Sequence, residues 1–260
     1  MIDIQNSSDT RNVPLEKVGV KNLRYPVSVM DKENRTQNTV ATVDLFVNLP
    51  HDYKGTHMSR FVEVFHRHSG NLSMKQFLLM LSEIRVNLDA ERAFGSMTFP
   101  FFMKKSAPVS GAESIMEYTC TYEGEVTSLS QKFFLEIKVP VTTLCPCSKA
   151  ISTSGAHNQR GVVTVKLQNT SLFWIEDVVH LIEDCASSSL YSILKRPDEK
   201  YVTEHAYDNP RFVEDVVREV YIALKNFSKS EKPFTWFSVE CENYESIHNH
   251  NAYAYTEFCG

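Results

Sequence analysis

A chain of 260 residues can bury a large core, as one big domain or as two small fused ones. With 42% hydrophobic and 23% charged residues it has the composition of a folded globular protein, not of a disordered or collagen-like one. A net charge of −5 argues against a broad nucleic-acid-binding face and requires any phosphate ligand to meet a local cluster of cations. The N-terminus shows neither the basic nor the apolar region of a signal peptide, and no apolar run reaches membrane-spanning length. The six cysteines do not read as a disulfide framework in a chain this long. A cytoplasmic protein, bound to neither membrane nor nucleic acid, is expected.

Residues 1 to 15 are polar and expected to be loosely ordered. Val18 to Met30 reads as a strand bent at Pro26, and Ala41, Val43, Leu45, Val47 and Leu49 alternate as a half-buried strand does. Lys54 to Arg60 leads into a helix with Met58, Phe61, Val62 and Phe65 on one face. A second helix starts at Ser73, with Gln76 as its capping-box partner, and runs through Phe77, Leu81, Ile84 and Leu88. Strands over Gly95–Met103 and Ser114–Tyr122 follow. The second half repeats this order: strands over Lys132–Val141 and Gly161–Leu167, helices over Trp174–Leu194 and from about Pro210, then strands over Thr235–Cys241 and Ala252–Phe258. No residue-level repeat accompanies it. The element order predicts an α+β protein of two fused modules, each an antiparallel sheet with a pair of helices on one face. The modules are placed at residues 1–125 and 126–260, with the second carrying the reactive residues.

Chemistry concentrates in residues 139–160. Cys145 and Cys147 sit where a strand ends, and His157 lies in the same long connection. Thiolate and imidazole are good ligands for a borderline-soft metal, and a thiolate is also a nucleophile. The plain alternative is ordinary thiols and a solvated histidine. Three further stretches offer the same choice. The charged run Lys195–Lys200 is a solvated turn or part of a site. His248 and His250, two apart, face one side of an extended chain, or decorate a polar hairpin tip. Lys104 and Lys105 end an aromatic strand, as a phosphate grip or as an ordinary terminus. Cys145, His157, a carboxylate and a histidine of the last hairpin would form a mixed sulfur, nitrogen and oxygen set with open positions for water. Such a set does not choose among Zn, Mn and Fe. On these residues alone, a metal enzyme, a metal-free thiol enzyme and a non-catalytic metal-binding protein all remain open.

Five motifs narrow the choice. Leu-Cys-Pro-Cys-Ser-Lys (144–149), Gly-Ala-His-Asn-Gln-Arg (155–160), Lys-Gly-Thr-His-Met-Ser-Arg (54–60), the run Lys195–Glu204 and Glu-Ser-Ile-His-Asn-His (245–250) together resemble the type IB GTP cyclohydrolases. The resemblance implies a bimodular tunnelling fold, and a homotetramer with active sites at subunit interfaces. It implies conversion of GTP and water to 7,8-dihydroneopterin triphosphate and formate, feeding folate and, in many bacteria, queuosine synthesis. It makes Cys145, His157, Glu199 and His248 ligands of one divalent transition metal per site, with Cys147 a thiol beside them, able to pair with Cys145 when metal is absent. It makes Glu214 the carboxylate that accepts from the guanine N–H groups; without it, Glu214 is an acid in a helix's first turn, favoured by the dipole. Water activated by the metal would attack C8, with His250 or His57 moving protons. For the triphosphate the expected cations are Lys104, Lys105, Arg60 and His57, then Lys149 and Arg160.

Overall fold

The computed structural model describes Ser7 and residues 9–169, 171–227 and 234–260. Residues 1–6 and 8, part of the stretch expected to be loosely ordered, lie outside the described residues. Packing groups the chain into two compact units, Met1–Pro100 with Cys120–Leu135, and Phe101–Thr119 with Glu136–Gly260. The three central strands, β3 (Ala93–Ser106), β4 (Glu113–Val126) and β5 (Gln131–Leu144), each give one end to each unit.

In the first unit, β1 (Leu15–Asp31) and β2 (Arg35–Leu49) form a long antiparallel hairpin, and β2 pairs onward with β3 through Val43 opposite Met97. Pro26 does not bend β1: it sits opposite Val40 in unbroken register. The irregularities lie between Leu15 and Val18 and between Val20 and Leu23, where Asn22 takes the left-handed conformation (φ 56°) that a short amide side chain tolerates. Ala41, Val43, Leu45 and Val47 are buried, as their alternation predicts. The helices α1 (Met58–His68) and α2 (Met74–Asn87) bury Phe61, Phe65, Phe77, Leu81 and Ile84. The Ser73 hydroxyl accepts from the Gln76 N–H at 3.2 Å, half of the expected box. A Cβ at Gly95 or at Gly124 would stand 2.7 Å from Leu81, so two bare backbone positions let α2 lie close on the strands.

The second unit contains the remaining ends of β3, β4 and β5, followed in pairing order by β6 (Asn158–Asn169), β8 (Phe234–Asn243) and β9 (Ala252–Cys259). Val165 faces Val239 across β6 and β8, and Val239 faces Thr256 across β8 and β9. Two amphipathic helices, α4 (Ile175–Cys185) and α6 (Val213–Lys225), bury Val178, Val179, Ile182, Val216, Val217 and Val220. The helix expected to reach Leu194 ends nine residues earlier, at Cys185. Ser187 to Ser189 leave it instead for β5: the Ser187 N–H donates to the Thr142 carbonyl at 3.1 Å, and Ser188 and Ser189 form a short strand, β7, paired with Thr142 and Val141. Serine competes poorly for helix and well for local backbone bonds. The helix expected from Pro210 begins at Val213, after Phe212, whose N–H donates to the Asp215 carboxylate at 2.9 Å. Two helices go beyond the expected pair, the six-residue α3 (Pro146–Ile151) and the 13-residue α5 (Arg196–Asp208). No helix among the described residues is long and apolar enough to cross a membrane.

Candidate active site

β5 delivers the chain to Cys145 through a peptide held from several sides. The Leu144 N–H donates to the Ser187 hydroxyl at 3.1 Å, and the Leu144 carbonyl accepts from the Arg211 N–H at 3.0 Å. Cys145 then caps α3, with Pro146 at the first helical position, where its missing N–H costs nothing. Its sulfur accepts from the Ser148 N–H at 3.4 Å.

His157 is brought to the same place by its own backbone. Its carbonyl accepts from the Cys145 N–H at 3.1 Å, and its N–H donates at 3.2 Å to the hydroxyl of Ser148, which itself donates to the Cys145 carbonyl. The ring Nδ1 lies 3.0 Å from Gln159 Oε1, and Gln159 Nε2 donates to Thr143 Oγ1 at 2.8 Å. Cys145 and His157 are both half-buried, whereas Cys147 is exposed.

The last hairpin is tied to this pair. The Tyr244 N–H donates to the Arg160 carbonyl at 2.8 Å, and Ser246 Oγ lies 3.4 Å from His157 Nδ1. A Cβ at Gly161 would meet Asn243 Oδ1 at 2.4 Å, so glycine leaves room for the buried Asn243 amide at the paired end of β8. Farther along the loop, the rings of His248 and His250 stack at 5.1 Å, both exposed.

Glu199 stands on α5, exposed and 3.0 Å from Arg196. The charged run Lys195–Lys200 is therefore the start of a helix, and the residue before Glu199 fixes it. Asp198 is fully buried and accepts from the Lys195 N–H, the Val109 N–H, the Ser110 N–H and the Ser110 hydroxyl, all within 2.9 Å. Burial opposes its charge, but those donors outweigh it and hold the carboxyl well below the usual carboxylate range. One carboxylate thus ties the β3–β4 turn to the first turn of α5. At the other end of α5, Lys149 of α3 donates to the Tyr207 carbonyl and lies 4.2 Å from that ring.

The other expected residues are placed as follows. Lys104 is exposed on β3. Lys105 turns inward and pairs with Glu183 at 2.6 Å, with the Tyr118 hydroxyl donating to the same carboxylate oxygen at 2.8 Å. Burial pushes the Lys105 ammonium below the ordinary lysine range, and Glu183 opposes this. Glu214 is exposed in the first turn of α6, three residues beyond the Arg211 N–H that holds Leu144, and Arg160 is exposed on β6. In the first unit, His57 precedes α1 and lines a cavity of about 360 Å³ together with Asn48, Tyr53, Arg60 and Asp89. Arg60 also donates to the Asn87 carbonyl at 3.1 Å. Among the described residues, no three His, Cys, Asp or Glu side chains stand close enough together to hold a metal ion. The two residues that the backbone brings together, Cys145 and His157, have the donor chemistry of a transition-metal site. Ser187, Asp198 and Gln159 were not singled out by sequence reasoning; only Gln159 carries a signal there, as a polar residue where β6 alternation calls for an apolar one.

A sequence profile described as type I GTP cyclohydrolase folE2 matches residues 1–254. The chain belongs to that family. Among its relatives is the GTP cyclohydrolase FolE2 of Geobacter sp. (strain M21), 52% identical over 257 residues that make up 98% of this chain and 94% of that protein. The FolE2 of Syntrophus aciditrophicus (strain SB) is also 52% identical, over 99% of both chains. That of Fervidobacterium nodosum is 51% identical over 97% of this chain and 95% of its own. Among solved structures, the uricase of Arthrobacter globiformis superposes with a TM-score of 0.53, at 9% identity, over 94% of this chain and 93% of its own. A hyper-thermostable AgUricase mutant gives 0.55 at 10% identity, over 94% and 91%. Those likenesses are of fold alone: this FolE2-family chain has the tunnelling fold that the motifs implied.

Proposed function

We propose that this chain is a GTP cyclohydrolase of type IB, which converts GTP and water to 7,8-dihydroneopterin triphosphate and formate as the first step of folate synthesis. The observation that carries the reading is the FolE2 family match over residues 1–254, which encloses the hydrogen-bonded Cys145–His157 pair. The proposed metal donors are Cys145 and His157, completed by Glu199 and His248. When bound, a divalent transition metal supplies a water acidic enough to ionise near neutral pH.

The chain's own residues supply the rest. Glu214 accepts from adjacent N–H groups of the guanine and so presents C8 to the site. Releasing C8 as formate breaks its bonds to two ring nitrogens, each of which takes a proton, and His250 or His57 is the group that delivers them. For the triphosphate, Lys104, Arg60 and Arg160 are exposed cations, and half-buried His57 lies beside Arg60; the charge of Lys105 is already engaged by Glu183. We place the enzyme in the cytoplasm as a homotetramer with active sites at subunit interfaces, a state that would let copies complete one another's sites.

Formation of a fluorescent pterin from GTP tests this reading. The protein is assayed as purified, after chelation, and after separate return of Mn(II), Fe(II) or Zn(II). Activity lost on chelation and restored by a metal is expected. Activity indifferent to chelation would transfer the chemistry to a Cys145 nucleophile, and no pterin under any condition would overturn the proposed reaction.

A further inference from the structure

Gln159 occupies an inward position of β6, in step with Gly161 and Val163, and is only 7% exposed. A buried amide is costly unless both its ends are bonded. Here both are. Oε1 lies 3.0 Å from His157 Nδ1, and Nε2 donates at 2.8 Å to the hydroxyl of Thr143, itself fully buried on the neighbouring strand β5. A carbonyl oxygen only accepts, so the nitrogen facing it carries the hydrogen. A neutral imidazole with hydrogen on Nδ1 has its lone pair on Nε2. The Ser246 hydroxyl, 3.4 Å from the same Nδ1, has lone pairs that can share that hydrogen.

We infer that Gln159 is a positioning residue for His157. Anchored through Thr143, it fixes the imidazole as the Nδ1–H tautomer and holds the ring so that Nε2 is the nitrogen offered to a ligand. A metal-binding histidine gains orientation and basicity from such a partner, and losing it lowers metal affinity by about 10–100-fold. The inference rests on His157 being a metal donor, as proposed above, but the tautomer itself is measurable without metal.

The test uses full-length protein labelled with ¹⁵N-histidine, in the wild type, Gln159→Met and Gln159→Glu. Methionine keeps the length and removes the acceptor; glutamate keeps an acceptor facing Nδ1. Imidazole ¹⁵N–¹H spectra of the metal-free proteins report the tautomer, and zinc competition against a chromophoric chelator reports affinity. We expect His157 in the Nδ1–H form in the wild type and Gln159→Glu, loss of that preference in Gln159→Met, and zinc affinity about 10–100-fold weaker in Gln159→Met only. An Nε2–H tautomer in the wild type, or a Gln159→Met protein with unchanged tautomer and affinity, would overturn the inference. A wild type that binds no zinc would instead overturn the metal reading, and the spectra would still decide the role of Gln159.

Discussion

The pair formed by Lys105 and Glu183 offers a sharp test of how the second unit is held together. Side-chain exposure is 11% for the lysine and 4% for the glutamate, and their charged atoms are 2.6 Å apart. Glu183→Gln keeps the shape and an acceptor for the Tyr118 hydroxyl, but removes the charge that compensates a buried ammonium. Breaking one side of such a pair costs about 3–5 kcal/mol. A ceiling exists because Lys105 can escape by losing its proton. From its ordinary value of 10.5 down to pH 7, at about 1.4 kcal/mol per unit, that escape costs about 5 kcal/mol. The Tyr191 ring, 4.6 Å from the ammonium, remains and offsets about 0.5–2 kcal/mol of the loss while the lysine stays charged. The sign of the pH dependence follows. In the variant the folded lysine has a depressed pKa while the unfolded one keeps its proton up to 10.5, so the unfolded state binds more protons and stability rises with pH between the two values. Urea unfolding at pH 7 should show a loss of about 3–5 kcal/mol, shrinking toward pH 9 by about 1.4 kcal/mol per unit once the folded lysine is neutral. Adding Lys105→Met to the variant should recover most of it. A loss under about 1 kcal/mol at pH 7, or one indifferent to pH, would refute the picture of a buried charge left alone.

Other consequences are as direct. Cys145→Ala should lose pterin formation and bound metal together; an inactive variant with a full metal load would remove Cys145 from the ligand set. Glu214→Gln replaces one guanine acceptor by a donor and should lower kcat/KM for GTP by about 10–100-fold, with metal content unchanged, as measured by steady-state kinetics and metal analysis. Asp198→Asn should destabilise the protein at neutral pH. Because the native carboxyl titrates below its unfolded value of 3.8, the wild type's advantage is present above that value and fades as pH falls below it, so acid-unfolding curves of the two proteins should converge.

What the sequence revealed divides along physical lines. The alternation of Ala41 to Leu49 and the Ser73 cap are local signals, and both appear where they were read. α5 was invisible as a helix because it has almost no apolar stripe: its only buried residues are Asp198 and Ala206. α4 was read too long because its apolar pattern continues into Leu190 and Leu194, while Ser187 to Ser189 are claimed by β5 in a pairing no window can see. The approach of Cys145 to His157 was legible as a shared loop, since both sit in one connection. Their tethers were not: Ser187, Arg211 and Tyr244 reach the loop from far along the chain, and nothing in their own neighbourhoods marks them. Lys104 and Lys105 looked equivalent in sequence, yet strand alternation turns one outward and the other toward Glu183.

The way the Cys145 peptide is fastened also sets when it can be completed. Ser187 follows Leu144 by 43 residues, and Arg211 and Tyr244 emerge later still. During synthesis the thiol therefore leaves the ribosome long before the segments that hold it, and its loop closes only after Tyr244 has followed. Until then Cys145 and Cys147 are two neighbouring thiols on an unfastened strand end, open to oxidation or to stray metals.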